Sequence, residues 1–567
     1  MLDHRNLNTL WASIIVETLF RLGLKIALIS PGSRSTPLTM AFAQHQKIET
    51  IVILDERSAA FFALGKSKQL GLPVALVCTS GTAGANFYPA IIEARYSQVP
   101  LLVFTADRPR ELQDCRAGQT IDQVRLYGNY PNWQTELAIP EADLFLSNYL
   151  RETLIQAWER SLFPTPGVVH LNCPFREPLA PIKVTHSLEI PPDFFSDIQE
   201  SYPLVSSCAN FAPPTPWLNC ERGIIIAGLA QPQQPELYCQ AIARLSLFLG
   251  WPVLAEALSP LRNYAQINPY LISTYDFCLR YTELASKLRP ELVIQLGELP
   301  TSKELRQWLA KNAPKRWIIT PTQENLDPLR SKTIYIRAKI EQLSFPLSEK
   351  PISAYLQLWL QTEIKARKIL DQALASEQNL YEGKVSWLLS QHLPFQTPVF
   401  IANSMSVRYA EFFWVPGNSH IVPYFNRGAN GIDGTLSTAL GIAHRQQSSV
   451  LLTGDLALLH DTNGFLSRDK FKGHLTIVLI NNQGGGIFSY LPVAEYTSYF
   501  EEFFATPQHI DFASLCQTYK VEYHLITSWE SLGELLNPLP ERGIRLLELP
   551  CDRTLDSQWL DQISIIE

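Results

Sequence analysis

Short apolar runs that end in polar or glycine-rich segments recur along the whole chain. Helical patterns lie between the runs, beginning with 6–22, where Gly23 offers a helix C-cap. This alternation of buried strands with helices predicts a doubly wound, parallel α/β sheet. In the first third of the chain the predicted strands lie at 25–29, 51–54, 74–78, 101–105 and 167–172.

The same alternation starts again at GIIIAG (223–228) and once more at PVFIANSMSVR, and prolines crowd the stretch before the second series. A chain of this length is expected to contain more than one domain. We predict three doubly wound α/β domains with mainly parallel sheets, joined by two linkers. The N-terminal domain spans 1–180, a proline-rich surface linker 181–222, the central domain 223–345, a helical linker 346–392 and the C-terminal domain 393–567.

Two polar residues of the third domain follow successive apolar runs. Asp455 follows SVLL (449–452), and Asn482 closely follows LTIVLI (475–480). The separation suits one crossover between neighbouring parallel strands. Because open α/β sheets bind ligands at the carboxyl ends of their strands, we expect both side chains to converge at that edge.

A carboxylate and an amide oxygen form a hard, oxygen-only ligand set. Such a set suits Mg²⁺ better than Zn²⁺. The glycines after Asn482 permit close backbone approach and offer the Gly484 carbonyl as a further ligand. The alternative is that Asp455 and Asn482 merely cap the helices that follow them, which would be the better explanation for either residue alone. Their joint occurrence at this spacing favours the metal site.

Composition narrows the functional classes. The chain has 567 residues, of which 46% are hydrophobic and 18% charged, as in ordinary globular proteins. Its net charge of −7, without long blocks of one sign, argues against nucleic acid as a partner and favours small-molecule substrates. Nine cysteines without a C-x-x-C pair indicate buried, unpaired thiols in a reducing compartment.

The N-terminal apolar stretch is interrupted by Glu17 and Arg21. It therefore predicts an amphipathic helix rather than a signal peptide, and no stretch of 18 apolar residues occurs elsewhere. We expect a cytoplasmic protein without membrane insertion.

Glu56 follows the apolar run IVIL and Asp55 at a predicted strand end of the first domain. Alone, it would be a solvated loop residue in most proteins. Combined with Asp455 and Asn482 in this domain order, it resembles the functional residues of thiamin diphosphate enzymes. Nine segments, in order, resemble the family of 2-succinyl-5-enolpyruvyl-6-hydroxy-3-cyclohexene-1-carboxylate synthases of menaquinone and phylloquinone synthesis: SPGSRSTPL, DERSA, SGTA, ADRP, AGQT, PFREPL, NS-x-x-x-R, NRGA-x-GIDG and NNQGGGIF.

This resemblance implies a thiamin diphosphate-binding fold and an enzyme that decarboxylates 2-oxoglutarate and adds the succinyl carbanion equivalent to isochorismate. It implies thiamin diphosphate with Mg²⁺ or Mn²⁺ as cofactors. It further implies a homodimer or a dimer of dimers whose active sites lie between subunits.

The resemblance also assigns residues to the cofactor. It implies that Glu56 is catalytic, because the family's glutamate hydrogen-bonds the aminopyrimidine ring and promotes its imino tautomer. It implies that Ile432 wedges the two rings into a bent form. The other cofactor contacts implied are Gly454, Asp455, Leu456, Asn482, Gly485, Ile487, Phe488 and Ser404, with Asp455, Asn482 and Gly484 as metal ligands.

Both implied substrates are polyanions, so cationic groups are expected around them. By the resemblance, Ser404, Arg408 and Arg427 hold the succinyl carboxylate, and Ile487 and Phe488 face the reacting centre. An isolated arginine more often forms an ion pair at the surface. The arginines named here share a position at strand ends, and this favours a functional role. The residues implied to face isochorismate are Ser33, Arg34, Arg108, Gln119 and Lys303.

Three positions depart from the family pattern. Leu456 stands where the wider superfamily usually has glycine, although this family commonly lacks that glycine. Glu304 follows Lys303 where some relatives have a second basic residue, which leaves the contribution of the central domain to isochorismate binding open. His460 matches no motif, and we expect it to serve packing.

Two other functions compete with this interpretation. A pyruvate-type decarboxylase or acetolactate synthase is disfavoured because small uncharged acyl groups need no constellation of Ser404, Arg408 and Arg427. A non-catalytic relative is disfavoured because it would be expected to have lost Glu56 or a metal ligand, and the chain retains all of them.

Overall fold

The computed structural model describes residues 2–198 and 211–563. These residues form two compact units, each built from segments that are separate in sequence. The first unit is drawn from Met1–Leu204, Asn426–Gln446 and Leu459–Gly473, and the second from Val205–Phe425, Gln447–Leu458 and His474–Glu567.

The first unit contains a six-stranded sheet in which every pairing is parallel. Its strands are β1 (Ile26–Ile29), β2 (Glu49–Val52), β3 (Val74–Cys78), β4 (Leu101–Asp107), β5 (Trp133–Glu136) and β6 (Val168–Pro174). They lie in the order β2-β1-β3-β4-β6-β5. The central strands are buried along their whole length, as expected for parallel strands covered on both faces. The apolar pattern does not predict β5, a half-buried edge strand with the sequence WQTE.

The second unit contains two further all-parallel, six-stranded sheets. In the first, the order is β12-β11-β10-β7-β8-β9, with β7 (Gly223–Ala227), β8 (Val253–Ala255), β9 (Leu271–Ile272), β10 (Leu292–Leu296), β11 (Lys315–Ile319) and β12 (Thr333–Ile336). In the other, it is β14-β13-β15-β16-β18-β17, with β13 (Pro398–Ile401), β14 (Val422–Tyr424), β15 (Ser449–Gly454), β16 (His474–Asn481), β17 (Glu522–Leu525) and β18 (Gly543–Pro550). One continuous apolar core includes residues of both sheets.

Helices connect the strands throughout. The first six are α1 (Leu7–Leu22), α2 (Thr36–Gln44), α3 (Glu56–Leu70), α4 (Thr82–Asn86), α5 (Tyr88–Tyr96) and α6 (Leu144–Leu162). The next eight are α7 (Thr215–Leu218), α8 (Pro235–Leu249), α9 (Tyr275–Leu279), α10 (Thr282–Lys287), α11 (Lys303–Asn312), α12 (Ala354–Ser376), α13 (Glu382–His392) and α14 (Met405–Phe413). The last six are α15 (Thr435–Ala443), α16 (Asp455–Leu459), α17 (Thr497–Phe500), α18 (Phe512–Tyr519), α19 (Trp529–Leu536) and α20 (Arg553–Gln562). None of the helices in the described ranges is long and apolar enough to cross a membrane.

The predicted first helix is confirmed in detail. Asn6 and Thr9 form a capping box at the start of α1, and Gly23 ends it in the left-handed conformation with φ 110°. The segment 181–222, predicted as a surface linker, contains buried aromatic side chains. Phe194 and Phe195 are buried in the core of the first unit and Trp217 in that of the second, so these aromatic side chains add to the cores, while 199–210 lie outside the described residues.

Helices α3 and α15 pack tightly in the first unit. A Cβ atom on Gly65 would lie 2.0 Å from the Thr438 carbonyl oxygen, and one on Gly441 would lie 2.1 Å from that of Phe62. Each helix therefore carries a glycine where the other's backbone approaches it. This contact holds the helix that begins at Glu56 against the segment that follows Ile432.

Candidate active site

Asp455 and Asn482 lie at the carboxyl ends of two adjacent strands. Strands β15 and β16 pair in parallel with Gly454 opposite Ile480, which confirms the predicted neighbouring strands. Both side chains are buried. The backbone N–H groups of Leu456 and Gly484 donate to the Asp455 carboxylate at 2.8 and 2.7 Å. The two strand ends are thus directly connected.

The loop after β16 has room only for glycine at its closest point. Gly484 has φ 128°, and a Cβ atom there would lie 2.2 Å from the Ala505 carbonyl oxygen. That oxygen accepts a hydrogen bond of 2.7 Å from the Gly485 N–H. The next helical turn, at Gly486–Tyr490, is preceded by Gly485, so Asn482 does not cap it. For Asn482, the capping alternative is therefore wrong.

The electrostatics at Asp455 fit a cation. Burial raises the pKa of the Asp455 carboxyl to about 6, against the opposing effects of its backbone hydrogen bonds and of Arg553. Within the described ranges, no group of three His, Cys, Asp or Glu side chains is placed to hold a metal. A divalent cation at Asp455 would therefore need amide, carbonyl and ligand oxygens as well, which is the coordination that Mg²⁺ prefers. The residues present fit such an ion.

The Asn482 amide is placed to offer a second oxygen. Its Nδ2 donates to Glu382 Oε2 at 3.1 Å, which leaves Oδ1 for a metal. Arg553 donates to the backbone carbonyls of Asn482 and Gln483 at 3.2 and 2.5 Å, holding the backbone of the same loop.

Ser404 and Arg408 lie at the start of α14, after β13. Ser404 has φ 66° and ψ −131°, an unfavourable conformation for a residue with a side chain. The Arg408 guanidinium donates to the Ser404 carbonyl oxygen at 2.6 Å. The Arg408 side chain is therefore held at the strained turn that contains Ser404.

Glu56 is the first residue of α3, in the first unit. Asp55 caps this helix by accepting a hydrogen bond of 2.9 Å from the Ser58 N–H. Burial raises the pKa of the Cys78 thiol well above its usual value, and the Glu56 charge adds to the effect. Because Cys78 ends β3, this places Glu56 near the carboxyl end of the sheet.

Three of the residues predicted to face isochorismate lie close together, in the loops after β1 and β4 and beside the loop after β3. They are Arg34, Arg108 and Gln119. Arg108 donates to Ser80 Oγ and to the Gln119 carbonyl, both at 2.6 Å, and Gln119 Nε2 donates to the Ser80 carbonyl at 3.0 Å. Burial lowers the pKa of Arg34, and the nearby charge of Arg108 lowers it further. Ser33 precedes Arg34 and is exposed.

The remaining predicted residues have separate positions. Arg427 and Ile432 are half-buried in the loop before α15. Ile487 and Phe488 are half-buried in the turn Gly486–Tyr490, where the Phe488 ring centroid lies 5.7 Å from that of Phe504. Lys303 begins α11 in the second unit and is exposed.

Two details differ from expectation or were missed. His460 does not serve packing, because its side chain is exposed; its backbone carbonyl accepts a hydrogen bond from Arg57 at 2.7 Å. The sequence analysis missed Arg553 and Glu382. The position of Arg553 just after β18 could have indicated it, whereas Glu382 starts a helix in a predicted linker and has no such signal.

Comparisons with known proteins agree with this arrangement. The family model described as the N-terminal TPP binding domain of thiamine pyrophosphate enzymes matches residues 11–126. The model for the middle domain matches 208–401, and that for the C-terminal TPP binding domain matches 403–544. The N-terminal part of the chain, which contains Glu56, and the C-terminal part, which contains Asp455 and Asn482, therefore each match a thiamine pyrophosphate-binding domain.

Curated relatives decide the family. The 2-succinyl-5-enolpyruvyl-6-hydroxy-3-cyclohexene-1-carboxylate synthase of Gloeothece citriformis is 63% identical over 570 residues, covering 99% of this chain and 98% of the relative. The chain belongs to this synthase family. The synthases of Rippkaea orientalis and of a Nostoc species are each 60% identical, covering 99% and 98% of this chain and 97% of either relative.

The fold of the synthase family is shared with more distant enzymes. The crystal structure of benzoylformate decarboxylase from Polynucleobacter necessarius aligns with a TM-score of 0.68 at 15% identity, covering 96% of this chain and 98% of that one. At this identity the likeness concerns the fold alone. It confirms the predicted α/β thiamin diphosphate-binding architecture.

Proposed function

We propose that this chain decarboxylates 2-oxoglutarate and adds the resulting succinyl group in conjugate fashion to isochorismate, forming 2-succinyl-5-enolpyruvyl-6-hydroxy-3-cyclohexene-1-carboxylate and CO₂. The observation that carries the proposal is the 63% identity, over 99% of the chain, to a synthase of that name. The reaction is a step of menaquinone or phylloquinone biosynthesis.

The metal and the cofactor diphosphate are assigned to the ends of β15 and β16. Asp455 and Asn482 supply side-chain oxygens, and Gly484 supplies a carbonyl. Gly454, Leu456 and Gly485 lie beside them in the chain and are assigned to cofactor contacts. When bound, thiamin diphosphate supplies the acidic C2–H and the electron sink that decarboxylation needs. Mg²⁺ or Mn²⁺ suits the oxygen-only ligands.

Glu56 is assigned to proton handling at the pyrimidine ring. Its position at the first turn of α3, near a strand carboxyl end, supports a fixed and half-buried carboxyl group. A carboxyl group that holds a proton within hydrogen-bonding reach of a ring nitrogen acts as a general acid or base. Ile432 is assigned to an apolar contact with the bound cofactor.

Two sets of cationic and polar groups are assigned to the substrates. Ser404, Arg408 and Arg427 bind the distal carboxylate of 2-oxoglutarate, since guanidinium groups match carboxylates in charge and geometry. Ile487 and Phe488 form apolar contacts near the reacting carbons. Isochorismate is assigned to Ser33, Arg34, Arg108, Gln119 and Lys303, and the hydrogen bonds among Arg108, Ser80 and Gln119 support a preformed site there.

We also propose a homodimer, or a dimer of dimers, in the cytoplasm, with each active site formed by Glu56 of one subunit and Asp455 of the other. The test mixes the inactive variants Glu56→Gln and Asp455→Asn. Shared sites restore activity in the mixed dimer, because one of its two sites then has both native residues. Activity that stays at the level of the separate variants would exclude this arrangement.

The substrate assignment is tested by offering the holoenzyme either 2-oxoglutarate or pyruvate, each with and without isochorismate. We expect efficient turnover only with 2-oxoglutarate and isochorismate together. Turnover of pyruvate without use of isochorismate would show that the chain is a decarboxylase or acetolactate synthase instead.

A further inference from the structure

Glu382 is a buried carboxylate that no motif indicates. It begins α13 and is 4% exposed. Within the described ranges its side chain pairs with the Asn482 amide rather than with a cation. A buried carboxylate without a cationic partner is costly to the fold. Its position therefore calls for an explanation beyond packing.

The hydrogen bonds of Glu382 point to a role at the neighbouring loop. Its Oε2 accepts from Asn482 Nδ2 at 3.1 Å, and the nearby Tyr409 hydroxyl acts to lower the pKa of its carboxyl. Tyr409 is in turn 2.7 Å from the Tyr490 hydroxyl. Gly486 lies close behind, since a Cβ atom there would be 2.7 Å from Asn482 Nδ2. These contacts at Nδ2 therefore restrict the rotation of the Asn482 amide.

An asparagine amide has two ends of nearly equal size and opposite hydrogen-bonding character. Only its oxygen can bind a cation. A carboxylate is an acceptor, so it attracts the NH₂ group and turns the oxygen away from itself. Groups that orient a metal ligand in this way commonly change metal affinity 10- to 100-fold when they are mutated.

We infer that Glu382 is a positioning residue that fixes the Asn482 amide with Oδ1 available to the divalent cation. This inference rests on the proposed metal site and extends it to a residue on a different helix. Glu382 does not itself touch the metal or the cofactor. Its effect is on which end of the Asn482 amide the metal meets.

The test measures Mn²⁺ binding to the full-length protein in the presence of thiamin diphosphate, by electron paramagnetic resonance of free Mn²⁺. Glu382→Gln should weaken Mn²⁺ binding by about tenfold or more, because the new amide can pair with either end of Asn482. Glu363→Gln is the matched control. Glu363 is a half-buried carboxylate that accepts from Ser273 and Thr274, and its variant should bind Mn²⁺ like the native protein.

A double variant separates orientation from a merely structural role. Glu382→Gln combined with Asn482→Asp exchanges the carboxylate and the amide and conserves the buried charge. The new carboxylate at 482 has two equivalent oxygens and needs no orientation, so the double variant should bind Mn²⁺ more tightly than Glu382→Gln alone and about as tightly as Asn482→Asp alone. Thermal unfolding and far-UV circular dichroism check that each variant is folded.

Three outcomes would count against the inference. Native-like Mn²⁺ binding by Glu382→Gln overturns the positioning role alone. So does a double variant that binds Mn²⁺ no better than Glu382→Gln alone. If Glu382→Gln does not fold, the double variant is compared with Asn482→Asp: equal Mn²⁺ affinity supports the positioning role, and clearly weaker binding by the folded double variant overturns it. Absence of Mn²⁺ binding by the native protein with thiamin diphosphate overturns the metal site itself, and the positioning role with it.

Discussion

The Gly484 N–H donates a 2.7 Å hydrogen bond to the carboxylate of Asp455, and so connects the ends of two adjacent parallel strands. Gly484 adopts φ 128° at a point where a side chain would meet the Ala505 carbonyl oxygen. The backbone thus comes close to a buried carboxylate only because this residue is glycine. The metal assignment depends on this contact.

Replacing Gly484 should therefore damage the metal site. We expect Gly484→Ala to lower the unfolding temperature and to raise the Mg²⁺ concentration for half-maximal activity at least tenfold, because strain of about 1–3 kcal/mol would displace the loop. The control is Gly543→Ala, where φ is 93° and nothing lies within 4 Å of the added Cβ. It should lose some stability and keep its Mg²⁺ dependence. An unchanged Mg²⁺ requirement in Gly484→Ala would exclude the proposed geometry.

Glu56→Gln should bind thiamin diphosphate and lose catalysis. Glutamine keeps the shape of the side chain but cannot exchange a proton, so kcat should fall by about 10²–10⁴. Cofactor binding, followed by quenching of tryptophan fluorescence, should change little. Glu236→Gln, an exposed carboxylate in the first turn of α8, serves as control. If Glu56→Gln kept activity within tenfold of the native enzyme, Glu56 would not be the catalytic residue.

Arg408→Met should affect 2-oxoglutarate specifically. Losing a charged hydrogen bond of about 1.5–3 kcal/mol corresponds to a rise in KM of about 10- to 100-fold. We expect kcat to change less than KM, since this carboxylate is remote from the reacting carbon. The exposed Arg289→Met is the control. If steady-state kinetics give a native KM for 2-oxoglutarate in Arg408→Met, another residue holds the carboxylate.

Asp461 should make stability depend on pH. It is buried, it accepts from the Ser437 N–H and hydroxyl at 2.6 and 3.0 Å, and burial raises its pKa from 3.8 to about 6. Between these values the native state holds a proton that the unfolded state has lost. The stabilisation from Asp461 is therefore present at low pH and is lost as pH rises through about 6.

Asp461→Asn removes this titration. The unfolding temperature of the native protein relative to the variant should fall between about pH 4 and 6 and then level off. A shift of this size corresponds to about 3 kcal/mol. Differential scanning fluorimetry across this range measures the difference, and a difference independent of pH would contradict the expectation.

The sequence predicts much of the fold because most strands are buried apolar runs. It does not predict β5, β9, β12 or β17, since β9 has two residues and the other three are half-buried or partly exposed edge strands. Asp455 and Asn482 could be predicted because parallel strands align their carboxyl ends. Glu382 could not, because its contact with Asn482 joins residues 100 positions apart through tertiary packing.

The most direct test of the proposed reaction follows the carbon atoms of 2-oxoglutarate. The holoenzyme with Mg²⁺ and isochorismate is given 2-oxoglutarate labelled with ¹³C at either end, and CO₂ and products are analysed by mass spectrometry. If the proposed reaction takes place, the C1 label leaves as CO₂ and the C5 label enters a product with isochorismate, in a one-to-one ratio. Release of labelled CO₂ with succinic semialdehyde, and no label joined to isochorismate, would contradict it.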